Sequence, residues 1–172
     1  MATFPLSIAA VNALERAAFV AAFGDVAEHS RWVAERAERA RPFADRTAMI
    51  GAFVDAVLEA DEPHRLMLVR AHPDLAGRAR LADLAPDSQR EQKGAGLDTL
   101  TPDELERFTR LNDAYRAEFG FPFIFAVKGA NKHEILEAFE KRLLNDHEQE
   151  LATAIRQVGN IIRFRLEDRV LP

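Results

Sequence analysis

In the dipeptide His72-Pro73, a titratable side chain directly precedes a residue that interrupts helices. The dipeptide lies within AHPDLAG, residues 71–77, directly after an apolar helical stretch. A residue before proline is disfavoured from the α region, so the helix should end at Ala71 and His72 should project from a corner. An imidazole ordinarily titrates near neutral pH, so a histidine here could give or take a proton. The structural alternative is a histidine that suits the helix C-terminus and pairs with Asp74.

A second candidate segment is DSQREQKGAGLD, residues 87–98. Ser88 followed by Glu91 matches a capping box, which is a complete structural explanation for both residues. Glu91 and Gln92, with the glycines behind them, also place polar side chains and bare backbone at a helix start, where anions and polar ligands bind readily. Both interpretations stay open on the residues alone.

The third candidate segment is NIIRFRLEDRV, residues 160–170. Arg163 and Arg165 flank Phe164 and cannot share its face, because neighbours on a helix point about 100° apart. One of these arginines is therefore predicted to lie near the apolar surface, where an arginine usually extends toward water or pairs with an acid. A functional arginine there would bind a carboxylate through two parallel hydrogen bonds.

Helical periodicity dominates the chain and predicts an all-α fold, a single compact multi-helix domain over residues 1–172. A capping box of Asn12 and Glu15 is predicted to start the first helix. GFPFIFAV, residues 120–127, breaks the periodicity and predicts one irregular extended segment near 120–128. The predicted helices cover residues 13–23, 25–40, 47–60, 64–71, a short stretch after Pro86, 101–119, 132–144 and 146–171.

The composition argues against several classes of function. Apolar residues make up 48% of the 172 and charged residues 30%, and the net charge of −5 comes from interleaved acids and bases, so no basic face for nucleic acid is expected. No window approaches the roughly 20 apolar residues of a membrane span, and the N-terminus lacks the basic region of a signal peptide. Cysteine is absent and the histidines show no zinc spacing, so no metal site is expected. These features predict a cytoplasmic protein.

Six motifs follow one another along the chain: EHSRW at 28–32, RPF at 41–43, AHPDLAG at 71–77, SQREQKGAGL at 88–97, LNDAYRAEFGFPFIFAV at 111–127 and IIRFRLED at 161–168. This series resembles the decarboxylases of urate degradation that act on 2-oxo-4-hydroxy-4-carboxy-5-ureidoimidazoline (OHCU). The resemblance covers nearly the whole chain. Arg31 departs from the pattern, because the family often has proline at this position.

The resemblance implies an all-helical, usually homodimeric enzyme that needs no metal or organic cofactor and converts the small-molecule substrate OHCU into (S)-allantoin. Matching motifs residue by residue implies His72 as the proton donor, Glu91 as the essential carboxylate that orients the substrate, and Arg165 as its anchor. The implied substrate-binding residues are Pro73, Ser88, Gln89, Arg90, Gln92 and the segment of Phe123, Ile124, Phe125, Ala126 and Val127.

The chemistry gives these residue types a reason. Loss of carbon dioxide leaves a carbanion, so the site needs dipoles fixed where negative charge develops and a proton delivered to one face. Two other classes of function stay open. One is a lyase or hydrolase acting on a related ureide or purine-ring intermediate. The other is a non-catalytic helical interaction module, which would expose an apolar patch.

Overall fold

Helices make up the regular structure of the computed structural model, which describes residues 3–75 and 95–172. Between the helices of these ranges lie only turns, irregular segments, two 3₁₀ turns at Glu38–Ala40 and Leu97–Thr99, and one isolated bridge. The all-α prediction is confirmed. The short helix predicted after Pro86 lies outside the described residues. The described α-helices are α1 (Ile8–Ala13), α2 (Arg16–Phe23), α3 (Trp32–Ala37), α4 (Arg46–Leu58), α5 (Glu62–Ala71), α6 (Pro102–Phe119), α7 (Lys132–Arg142) and α8 (His147–Arg169).

Helix α6 begins and ends as the sequence predicts. The Thr101 side chain accepts from the Glu104 backbone N–H, and the Glu104 carboxylate accepts from the Thr101 N–H, so the capping box is complete. Pro102 occupies the first turn, where its missing N–H costs no hydrogen bond. Gly120 ends the helix with a φ of 72°, a left-handed conformation that glycine adopts without steric cost.

The first predicted helix is two helices, and the predicted capping box at Asn12 is wrong. Asn12 lies inside α1, which is capped by the Ser7 side chain. The Asn12 amide instead donates to the Phe43 carbonyl at 2.8 Å and accepts from the Phe43 N–H at 2.9 Å. Glu15 precedes α2 without a side-chain cap. A contact across 31 residues has replaced the local hydrogen bond that the sequence pattern indicated.

The helix predicted over residues 25–40 is also partly wrong, because residues 25–31 form turns and bends and the helix begins at Trp32. Within this loop His29 has a φ of 56° and is exposed, whereas Glu28 and Ser30 on either side are buried. The spacing of Val26 and Trp32 matches helical periodicity, but Val26 lies in a loop, where its side chain is nevertheless buried.

The chain divides into two units, residues 1–71 with 158–172 and residues 72–157. The first unit has an aromatic core in which the Phe19 ring lies 5.1 Å from Phe23 and 6.1 Å from Phe53, centroid to centroid. Near the chain ends, the Leu6 N–H donates to the Arg169 carbonyl at 2.9 Å and the Leu171 N–H donates to the Leu6 carbonyl at 2.8 Å. These bonds form the isolated parallel bridge.

The second unit is built around Tyr115 and a group of phenylalanines. The Phe123 ring stacks on Phe139 at 3.6 Å, and Tyr115 meets both rings edge-on. Tyr115, Phe123 and Phe139 are fully buried. Within the described residues, none of the helices combines the length and apolar character that crossing a bilayer requires.

Candidate active site

His72 directly follows the last residue of α5, so the predicted break before Pro73 is confirmed. Its side chain is largely buried, at 9% exposure, and Pro73 is half-buried. The structural alternative paired His72 with Asp74, but both Asp74 oxygens lie 3.0 Å from Arg116, one from Nε and one from Nη2. The carboxylate beside His72 is thus bound by a guanidinium in a bidentate pair.

Arg165 is the inward-facing arginine of the third candidate segment. It is 3% exposed, whereas Arg163 is exposed and lies over the Phe164 ring at 4.8 Å. The prediction that one of the two arginines lies near the apolar surface is confirmed. Its Nη1 donates to the Val26 carbonyl at 3.1 Å, and its Nη2 donates to Glu28 Oε1 at 3.3 Å.

Glu28 is a residue that the sequence reasoning missed. Its side chain is 4% exposed, and its charge compensates that of Arg165. A buried arginine needs an acidic partner, and this was a usable signal. The chain contains 28 acidic residues, however, and the ion pair joins positions 137 residues apart. Local patterns therefore did not identify which acid pairs with Arg165.

The segment after Gly120 is irregular, as predicted, with no regular structure from residue 122 to 127. The Phe123 and Ile124 side chains are fully buried, Val127 is 4% exposed, and Phe125 and Ala126 are half-buried. Two backbone groups of the segment already bind inside the second unit. The Ile124 carbonyl accepts from Arg142 Nη1 at 2.7 Å, and the Ala126 N–H donates to Gln157 Oε1 at 2.9 Å.

A buried polar network contacts this segment through the Arg142 side chain. Glu150, with no exposed surface, accepts from Arg142 Nε at 2.8 Å, from Asn145 Nδ2 at 2.8 Å and from the Tyr115 hydroxyl. Burial raises the pKa of Tyr115 above its ordinary value, so the hydroxyl keeps the proton that it donates to Glu150. The network connects α6, α7 and α8 and gives the carbonyl of Ile124 a fixed position.

Only some of the predicted site residues lie within the described parts of the chain. His72 and the 123–127 segment belong to the second unit, and Arg165 belongs to the first unit with Glu28. Across residues 3–75 and 95–172 no group of three or more histidine, aspartate or glutamate side chains could hold a metal ion. The predicted residues Ser88, Gln89, Arg90, Glu91 and Gln92 lie outside the described residues.

The sequence matches the OHCU decarboxylase family over residues 12–167. The chain belongs to this family, which confirms the family and the enzyme class, a carboxy-lyase, that the motifs predict. It is 43% identical to the 2-oxo-4-hydroxy-4-carboxy-5-ureidoimidazoline decarboxylase of Haloferax volcanii, over 95% of this chain and 96% of that protein. It is 41% identical to the protein of the same description from Amia calva, over 92% of this chain and 91% of that one.

Solved structures show the same fold. A crystal structure of (S)-allantoin synthase superposes with a TM-score of 0.80 and 31% identity, over 97% of this chain and 54% of that chain. The present chain thus spans about half of that solved chain. A crystal structure of OHCU decarboxylase in the presence of (S)-allantoin gives a TM-score of 0.65 at 24% identity, over 78% of this chain and 87% of that chain, and supports the fold alone.

Proposed function

We propose that the protein catalyses the decarboxylation of OHCU to (S)-allantoin, without a metal or organic cofactor. The observation that carries the proposal is the match to the Haloferax volcanii decarboxylase over nearly the full length of both chains. The solved relative described as an (S)-allantoin synthase supports the same product.

The reaction breaks one carbon–carbon bond. The substrate carboxylate leaves as carbon dioxide, and the electron pair of the broken bond delocalises into the ring. The pair moves through the adjacent C=N bond to the ring nitrogen, which takes up a proton, and an enol remains at the carbon that lost the carboxylate. His72 then gives a proton to one face of the neighbouring, ureido-bearing carbon while the enol hydroxyl releases its proton and becomes the carbonyl of allantoin, which yields the S enantiomer. An imidazole suits this step because its pKa lies near neutrality. The burial of His72 at a helix end supports the assignment, because water that reached the enol would protonate it without facial selection.

Arg165 anchors the anionic and carbonyl oxygens of the substrate in this proposal. A guanidinium is a planar, charged fork whose geometry matches carboxylate and carbonyl oxygens, and Val26 and Glu28 hold the plane of the Arg165 guanidinium. Its near-complete burial supports the role, since a charge in a low-dielectric site acts more strongly than one in water. Glu91 orients the substrate by accepting hydrogen bonds from its ring hydroxyl or N–H groups.

The irregular segment supplies backbone contacts to the heterocycle. Hydrogen bonds that the segment already makes within the protein limit which of its backbone groups can contact the substrate. A carbonyl has two lone pairs, so the Ile124 oxygen can accept from the substrate as well as from Arg142. The Ala126 N–H already donates to Gln157, so it is a poorer choice for a substrate contact. Pro73 lines the pocket beside His72, and Ser88, Gln89, Arg90 and Gln92 complete the substrate-binding set.

The experiment uses OHCU generated freshly from urate. Purified protein is added, and circular dichroism follows the appearance of optically active allantoin against the spontaneous decay without protein. We expect faster decay and a product of one handedness. Decay at the spontaneous rate, with racemic allantoin, would contradict the proposal. Activity on another ureide or purine-ring intermediate but not on OHCU would instead favour the related lyase or hydrolase.

Two further properties belong to the same proposal. We propose that the protein is a homodimer, as family members usually are, and that it works in the cytoplasm without nucleic-acid or membrane partners. Light scattering after gel filtration measures the oligomeric state directly, and a mass of 19.3 kDa would show a monomer.

A further inference from the structure

The loop of residues 25–31 binds the guanidinium of Arg165, which lies on helix α8. Two acceptors, the Val26 carbonyl and the Glu28 carboxylate, bind two different terminal nitrogens of Arg165. The Arg165 and Glu28 side chains are 3% and 4% exposed. Contacts to both terminal nitrogens fix the rotation of the guanidinium plane as well as its location.

The backbone of this loop presents Glu28 to the interior. His29, the next residue, has a φ of 56° although it is not glycine, and it points to solvent. Ser30 beyond it is 3% exposed, and its N–H donates to the Ala27 carbonyl at 2.9 Å. A left-handed residue other than glycine is unfavourable and persists only where the surroundings impose it. The turn keeps Glu28 and Ser30 inside while His29 faces water.

The loop is also anchored by a second arginine of the same helix. Arg169, one helical turn beyond Arg165, donates to the Ala22 carbonyl at 3.0 Å and binds both Asp25 oxygens at 2.5 and 3.0 Å. A second arginine therefore fastens the start of the loop to the same helix. The Asp25 side chain is 68% exposed, so this ion pair is formed at the surface.

The burial of the Glu28–Arg165 pair is weak evidence that the pair stabilises the fold. Burying two charges costs desolvation energy, and apolar side chains of similar volume often stabilise a protein as well or better. Asp25 and Arg169 give the loop a second anchor on the same helix, so the charge on Glu28 is available for a role on Arg165 itself. That role is to orient and partly neutralise Arg165.

We propose that Glu28 is a positioning residue for catalysis, acting through Arg165. This inference rests on the proposed function, in which Arg165 anchors OHCU. Glu28 holds the guanidinium fork in the orientation that fits the reacting substrate. It also moderates the hold of Arg165 on the ground-state carboxylate, which must leave as neutral carbon dioxide.

The test is a double-mutant cycle of Glu28→Gln and Arg165→Lys, assayed on fresh OHCU. Glutamine keeps the size of Glu28 but removes its charge, and we expect kcat/KM to fall about tenfold or more. Because Glu28 acts through Arg165, the double variant should be no slower than Arg165→Lys alone. A structural role would instead lower the activity of the double variant by the product of the two single effects.

Asp25→Asn is the matched control, because it breaks the other ion pair between the same loop and the same helix. It should keep activity within about twofold of the parent, as expected for an exposed pair. Equal losses in Asp25→Asn and Glu28→Gln would assign both residues to loop anchoring and overturn the proposal. So would parental activity in Glu28→Gln.

Two measurements distinguish failure of the Glu28 inference from a folding defect and from failure of the proposed function. Circular dichroism melts of every variant establish the folded state. If Glu28→Gln does not fold, Glu28→Asp, which keeps the charge but withdraws it by one methylene, takes its place in the cycle. If neither folds, Glu28 is needed for the fold and the inference is wrong. A parent protein without activity on OHCU would contradict the proposed function itself, independently of any Glu28 variant.

Discussion

Replacing Arg142 with methionine should destabilise the protein by stranding a buried carboxylate. Arg142 is 8% exposed, and Glu150, its partner, has no exposed surface. The substitution removes donors to Glu150 at 2.5 and 2.8 Å and the donor to the Ile124 carbonyl at 2.7 Å. Tyr115 and Asn145 still donate to Glu150, but no positive charge replaces the guanidinium within this network.

The expected loss follows from the burial of the pair. Removing one member of a buried ion pair costs about 3–5 kcal/mol. For a chain of this size each kcal/mol lowers Tm by roughly 2–4 °C, so Arg142→Met should melt roughly 6–20 °C below the parent. Differential scanning calorimetry or a circular dichroism melt at neutral pH measures the shift.

Two companion variants make the reasoning refutable. Arg142→Met combined with Glu150→Gln removes the stranded charge but keeps an acceptor for Tyr115, so it should recover a substantial part of the lost Tm. Arg107→Met breaks the ion pair with Glu140, whose side chains are 45% and 48% exposed, and should change stability by about 1 kcal/mol or less. The argument from buried charge is wrong if Arg142→Met and Arg107→Met have the same Tm. It is also wrong if the double variant is less stable than Arg142→Met.

Two further predictions concern catalysis and pH. His72→Ala and Glu91→Ala should each fold normally and lose decarboxylation of OHCU by about 10²-fold or more, measured as the rate of optically active allantoin formation, and near-parental rates in both would contradict the assigned roles. The hydrogen bond from Lys132 Nζ, at 2.6 Å, and that from the Thr101 N–H lower the pKa of Glu104 below its usual 4.5. A carboxylate with a lowered folded-state pKa contributes stability above the unfolded-state value and loses it as pH falls through the folded-state value. The Tm of the parent should therefore fall more steeply than that of Glu104→Gln between about pH 5 and pH 3, and parallel Tm curves would contradict the assignment.

The elements that the sequence predicted well are those whose signals are local. Thr101, Pro102 and Glu104 mark the start of α6 within four residues, and the His72-Pro73 pair marks the end of α5 in the same way. Steric and hydrogen-bonding rules that act over one helical turn are sufficient there.

The errors arose where a distant contact overrides a local preference. Asn12 has the residue type of a helix cap, yet it binds the Phe43 backbone. Residues 25–31 have helical spacing, yet this loop binds Arg165 and Arg169 from the far end of the chain. No local rule gives the partner of a buried arginine, so Glu28 was found only in the structure.

The bridge between Leu6 and Val170 holds an early and a late part of the described chain side by side. Arg46 strengthens this contact, because its guanidinium donates to the Val170 carbonyl at 3.1 Å. A domain fused ahead of the chain and one fused behind it would therefore emerge from neighbouring points on the first unit. Chains whose ends adjoin tolerate circular permutation, so the same packing is compatible with more than one order of its helices in a gene.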